Sequence, residues 1–262
     1  MVSGNGVSTA GATRSWRWIV AALAATQAVA PLIAGALAPD FLRGDPGAEA
    51  TITPAAYAFA VWGLICLLSL ATALVLLRFP LGTPWERRAL GDLAIVFVGF
   101  SAWLCAAAQN WLWVTVAIFA VMFAALIDVM RLLVRDAAAL QCPRWVAVLA
   151  TMTFGLYLGW TSIAVFVNLA AALIAGGLSV AGSFGTAWQL VILVAAAAAA
   201  MVLTRLLHAS AGYVAGVLWA LVAATIGAAG RGAPVLAAAA AVAAVAVAAA
   251  AVAITRDWRA SR

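Results

Sequence analysis

Four side chains in one apolar run carry the clearest chemical pattern in the chain. Tyr157, Trp160, Ala164 and Asn168 follow one another at spacings of three, four and four, which on an α-helix places them along a single stripe. A phenol, an indole and a carboxamide on one face, with a small alanine between, suit a flat amphipathic ligand. Rings stack on it while N–H and amide groups orient it. Thr161 and Ser162 lie beside the stripe. The same residues equally suit helix–helix hydrogen bonding by Asn168 and ordinary ring packing, and spacing alone leaves both readings open. A second set is Gln109-Asn110-Trp111-Leu112-Trp113, which reads as a tight turn with tryptophans at a membrane surface. A third opens at Thr53-Pro54, an N-cap followed by proline at the first helical position, and continues with Tyr57, Phe59 and Trp62. Trp62 sits about two turns in, deeper than an interfacial residue needs, and is a better pocket candidate than Trp111.

The charged residues suggest less. Asp128 precedes Arg131 by three positions and Asp92 follows Arg88 by four. Both read as interfacial ion pairs on one helix face, and no deep charge pair points to ion coupling. His208 is the single histidine, and Cys66, Cys105 and Cys142 have no metal-ligand spacing. A His-based metal site, a Ser/His/Asp triad and a haem with two axial histidines are therefore excluded within one chain. No catalytic residue and no metal ligand is assigned, and no cofactor is required.

The elements that position these residues follow from composition. Of 262 residues, 68% are hydrophobic and 8% are charged, with a mean hydropathy of +1.16. A soluble domain carries roughly 25% charged residues, so this chain cannot cover a water-facing surface. A soluble enzyme and a nucleic-acid binder are excluded, and the lipid bilayer is the first partner. At about 20 residues per span, the sequence reads as eight transmembrane helices: 17–38, 54–78, 90–110, 113–134, 146–173, 186–207, 210–229 and 234–255. The sixty uncharged residues from Trp145 to Thr204 hold two of them, broken at Gly176-Gly177-Leu178-Ser179 and Gly182-Ser183-Phe184-Gly185.

All 14 basic residues are arginine. With the N-terminus inside, twelve fall on inner segments and only Arg43 and Arg231 on outer ones. The positive-inside rule then places both termini in the cytoplasm, in a cytoplasmic (inner) membrane. The first span resembles a signal peptide, but its length and Pro39 just beyond Ala36-Leu37-Ala38 argue for retention. The last third is alanine-rich and reads as scaffold held by small-residue packing. Gly155-x-x-x-Gly159 and Gly212-x-x-x-Gly216 offer close-approach faces.

Together these fragments resemble a known family. Pro54 with Val61-Trp62-Gly63 resembles the second-helix motif of the tryptophan-rich sensory proteins (TspO/MBR), relatives of the mitochondrial translocator protein. Asn110-Trp111-Leu112-Trp113 is similar to the family's motif at the end of helix three, and Ala125-Leu126-Ile127-Asp128 to that of helix four. Tyr157, Trp160, Ala164 and Asn168 match its fifth-helix signature at every spacing. The resemblance covers about residues 17–175. It implies an all-α, five-helix bundle whose first loop, here 39–53, caps a pocket for tetrapyrroles such as protoporphyrin IX and for other hydrophobic molecules. It also implies a homodimer and, for some bacterial members, light-dependent porphyrin breakdown. The chain departs from the pattern where Pro54 stands without a second proline, where Leu156 precedes Tyr157, and where Cys66 follows the tryptophan motif.

The resulting organisation is a cytoplasmic tail (1–16), a TspO-like bundle (17–178), three alanine-rich transmembrane helices (179–255) and a basic cytoplasmic tail (256–262). The leading functional reading is a sensory or binding protein whose ligand meets Tyr57, Trp62, Asn110, Trp113, Tyr157, Trp160, Ala164 and Asn168. The second is a small-molecule transporter or permease, against which stands the lack of an internal repeat. The third, a membrane enzyme, lacks a His/Asp/Glu cluster.

Overall fold

Inside a bilayer the backbone has no water to bond, so long apolar runs become helices that satisfy themselves. A computed structural model describes residues 5–37 and 49–260. Its helices are α1 (Asn5–Leu37), α2 (Val61–Arg78), α3 (Glu86–Ala108), α4 (Leu112–Arg135), α5 (Arg144–Ala175), α6 (Gly182–Leu206), α7 (Ala211–Gly230) and α8 (Pro234–Ala260). A 3₁₀ turn, Ala56–Ala60, leads into α2. Seven of them, α2 with its leading turn through α8, are long and apolar enough to cross a membrane. The protein is an all-α, polytopic membrane protein. Most of the expected capping loop, residues 39–48 with Arg43, lies outside the described residues.

The helices follow the apolar runs, with two differences: α1 begins at Asn5, about three turns ahead of its apolar stretch, and α2 begins at Val61 after the 3₁₀ turn, so Thr53 and Pro54 lie in irregular backbone ahead of it and do not cap it. The long uncharged stretch holds two helices. α5 stops where Gly177 turns to φ 97° and the Leu178 N–H reaches back to the Leu173 carbonyl at 3.1 Å, a left-handed C-cap that glycine adopts without strain.

Five helices close a ring in the order α2, α1, α3, α4, α5 and back to α2, while α7 lies against α5 and joins α8, which contacts α6. The α5–α7 crossing is the closest. A methyl on Gly159 would lie 2.9 Å from the Gly216 Cα, and one on Gly216 would lie 2.9 Å from the Trp160 backbone nitrogen. The two glycine pairs of the sequence thus face one another, backbone against backbone, as small-residue faces allow in membranes.

Polar pairs fasten the ring. Gln27 of α1 donates to the Tyr157 hydroxyl of α5 at 2.9 Å, and Thr72 and Thr153 share a hydrogen bond of the same length. At the arginine-rich end, Arg17 meets the buried Glu86 at 2.7 Å, and the Gly82 N–H donates to the other oxygen of Glu86 at 3.0 Å. Asp128 is paired differently from the expectation. Its partner is Arg88 of α3, whose Nε and Nη2 each reach a carboxylate oxygen at 2.7 Å. The short α3–α4 turn makes the two helices antiparallel neighbours, so a fork-on-fork pair across them displaces the one-helix pair with Arg131.

Cys142 lies in the α4–α5 connection, outside the spans. Burial, and secondarily the Glu86 carboxylate, raise its thiol above the usual range. Because the thiolate is the nucleophile, a water-soluble maleimide at pH 8 should label Cys142, in a chain with Cys66 and Cys105 replaced by alanine, several-fold more slowly than free cysteine, read by intact-mass spectrometry. Labelling at the rate of the free amino acid would contradict this burial.

Candidate ligand-binding site

The α5 stripe reaches its target through period alone: each of its members is a near-whole number of turns from the last, so one face of α5 looks into the ring. Trp160, Ala164 and Asn168 line a cavity there, with Ile163 and Val167 beside them. Trp62 of α2, Trp103 of α3 and Phe119 of α4 close three sides, Pro54 and Phe59 a fourth, and Ala220 of α7 completes the wall. The cavity is small, about 30 Å³, room for a water or two.

Trp62 is the centre of an aromatic cage. Its ring lies 4.9 Å from Phe100, 5.5 Å from Trp103, 5.6 Å from Tyr157 and 6.1 Å from Trp160. The Tyr157 and Trp160 contacts are edge-on, and Phe59 packs edge-on against Trp160 at 5.7 Å. These are the separations at which quadrupoles attract. Asn168 is held from both sides: its amide donates to the Ala164 carbonyl at 2.9 Å, and its oxygen accepts from the Trp103 indole at 3.2 Å. The Trp160 indole differs. Trp160 is 2% exposed, and its Nε1 has no hydrogen-bond partner. Leaving a buried donor unpaired costs about 1–3 kcal/mol.

The structure therefore brings Trp62, Trp160, Ala164 and Asn168 around one cavity. Tyr157 is fully buried next to it, bonded to Gln27 and edge-on to Trp62. Tyr57 is exposed and packs edge-on against Trp219 at 5.7 Å. Asn110 and Trp113 lie at the α3–α4 turn, exposed and apart from the cavity lining. Asn110 has φ 56° there, a left-handed turn position that asparagine tolerates better than most residues. Trp103 and Phe119 are cage members that the sequence motifs did not single out. Gln27 and Gln189 belong to no motif, although a glutamine inside an apolar run is itself a signal of function or tight pairing.

A ring of five helices, four of them long and apolar enough to cross a membrane, around an aromatic-walled cavity defines the class: a polytopic membrane bundle with an aromatic cage. The model of the family described as TSPO-like protein matches residues 45–253, and the chain belongs to that family. The match begins after α1, takes in α2 to α5 of the ring, and continues through α6, α7 and most of α8. No curated protein and no solved structure matches the chain.

Proposed function

We propose that the protein binds a planar hydrophobic ligand with a hydrogen-bond acceptor, a tetrapyrrole such as protoporphyrin IX being the first candidate, in the cage of Trp62, Trp160, Ala164 and Asn168. One observation carries this reading: the buried Trp160 Nε1 is an unpaired donor within an aromatic cavity wall. A ligand carboxylate, carbonyl or ring nitrogen would pair it and recover its cost, while Trp62 and Phe59 stack. Sites for molecules of this size occupy about 300–1,000 Å³, so binding separates rings that now touch. The arginine distribution supports a cytoplasmic membrane with both termini inside.

The test is a titration of detergent-purified protein with protoporphyrin IX, following tryptophan quenching and the Soret band. Saturable binding near micromolar affinity, roughly −8 kcal/mol, is expected for the wild type. Trp160→Phe keeps a ring and removes the donor, and should weaken binding about tenfold, the equivalent of ~1.4 kcal/mol. Asn168→Ala should weaken it too, and Trp145→Phe, at the far end of α5, should not. Non-saturating signals throughout, or a Trp160→Phe affinity equal to wild type, would overturn the reading.

A further inference from the structure

The chain enters α2 through Glu49–Ala60, a stretch whose only helix is one 3₁₀ turn. It nevertheless runs antiparallel alongside α7. Thr53 meets Arg231, Ala55 meets Ala223 and Ala58 meets Trp219, a path of about three turns of α7. Ile52 and Ala58 are buried there. Irregular backbone at membrane depth is tolerated only where protein satisfies its polar groups, and here the C-terminal helices do so. The Ala55 N–H donates to the Ala223 carbonyl at 2.9 Å. The Trp219 indole donates to the Ala58 carbonyl at 3.0 Å. Arg231 spans two groups, its Nη1 donating to the Thr53 carbonyl at 2.7 Å and its Nη2 to Glu49 at 2.8 Å.

Gln189 of α6 adds the deepest contact. Its side chain is fully buried, and its oxygen accepts the N–H groups of Thr51 at 2.6 Å and Ile52 at 3.3 Å. Its own amide is fixed by the Gly185 carbonyl at 3.0 Å. Gly227 permits the approach, since a methyl there would lie 3.0 Å from the Ala55 nitrogen.

The same stretch is a wall of the cage. Pro54 and Phe59 line the cavity beside Trp62, so what fixes the stretch fixes that wall. The remaining lining comes from α2, α3, α4, α5 and α7, which bury their faces against one another. The 51–60 stretch is the one wall not carried on an α-helix. Three long side chains from the C-terminal helices hold it.

We infer that Gln189, Trp219 and Arg231 form a latch that keeps the 51–60 stretch against α7 and the cage narrow. They are positioning residues acting through the stretch, and releasing them speeds both entry and exit of a ligand; this second half rests on the ligand reading above. The geometry gives α6 and α7 a gating role as well as a scaffolding one.

The latch is tested without ligand by replacing Cys66, Cys105 and Cys142 with alanine and introducing Ile52→Cys as a reporter. Its labelling by a water-soluble maleimide is followed in detergent. Arg231→Gln, Gln189→Ala and Trp219→Phe should each raise the labelling rate at least fivefold, and Arg231→Lys should restore slow labelling. A parallel reporter, Ala150→Cys within α5, must stay protected, which separates local release from unfolding. Trp219→Phe retains the ring and carries the test if the other variants do not fold. Stopped-flow quenching by protoporphyrin IX should then show on- and off-rates rising together several-fold, with affinity changing less than either. Unchanged labelling overturns the latch. Faster labelling with wild-type ligand rates overturns its gating role. If the wild type shows no saturable quenching, the ligand reading fails, and the labelling rates alone decide whether the latch exists.

Discussion

Gly159→Val is expected to destabilise the protein by about 3 kcal/mol or more, enough to unfold a marginally stable chain. The first atom added would lie 2.9 Å from both the Gly216 Cα and the Val217 nitrogen, and nearer still to the Tyr213 carbonyl. All three are backbone atoms of α7, and no side-chain rotation relieves the overlap. α5 and α7 must separate, and the loss is of close packing, the main source of helix association in lipid. Trp160 follows Gly159 directly, and Ala220 lies one turn beyond Gly216, so separation also opens the cage between them. Thermal unfolding in detergent, with the monodisperse fraction after chromatography, measures the effect. Gly63→Ala is the control: a methyl there meets nothing within 4 Å, and should be neutral or gain up to about 1 kcal/mol of helix preference. Equal stability of the two variants would show that the α5–α7 crossing is looser than described.

Arg17→Ala is expected to cost about 3 kcal/mol. Glu86 is 2% exposed, and without Arg17 its carboxylate keeps the Gly82 N–H and the N-terminus of its own helix. Desolvation is already spent on the charge, so removing one partner exposes that cost. Replacing both residues by methionine removes the charge with its partner and should be less damaging than Arg17→Ala alone. Unfolding of the single and double variants under one set of conditions decides it. A double variant as unstable as the sum of the single replacements would mean that the two side chains contribute independently.

Much of this architecture is legible in the sequence because period and charge act locally. The break between α5 and α6 is announced by glycines, and most helix ends by an arginine cluster or turn residue, the starts of α1 and α2 being the exceptions. The stripe of Tyr157, Trp160, Ala164 and Asn168 needs only the helical repeat, and three of its members line the cavity while Tyr157 packs beside it. What the pattern could not supply is the partner across the gap. Gly155 and Gly159 are visible as a small-residue face, and so are Gly212 and Gly216, but nothing in either motif says that it meets the other. Ala220 lines the cavity from within an alanine-rich helix, where every residue looks alike. Intrahelical spacing, which is all a sequence displays, pairs Arg88 with its own helix, whereas its fork reaches Asp128 on the next. Gln189 is the opposite case. A buried glutamine is a strong local signal, and only its target, the Thr51 and Ile52 amides 138 and 137 positions away, depends on the fold.

The distance along the chain between the 51–60 stretch and its partners also sets an order of events during synthesis. Ala58 precedes Trp219 by 161 residues and Thr53 precedes Arg231 by 178. At about 5–20 residues per second, roughly ten to thirty seconds separate their appearance. Through that interval the Thr53 and Ala58 carbonyls and the Ala55 amide lack their α7-side partners, and lipid cannot substitute for them. The cage wall formed by the stretch is therefore completed only once α7 is made. Late-made helices complete an early-made wall, so a nascent chain holds the cage residues well before it holds a cage.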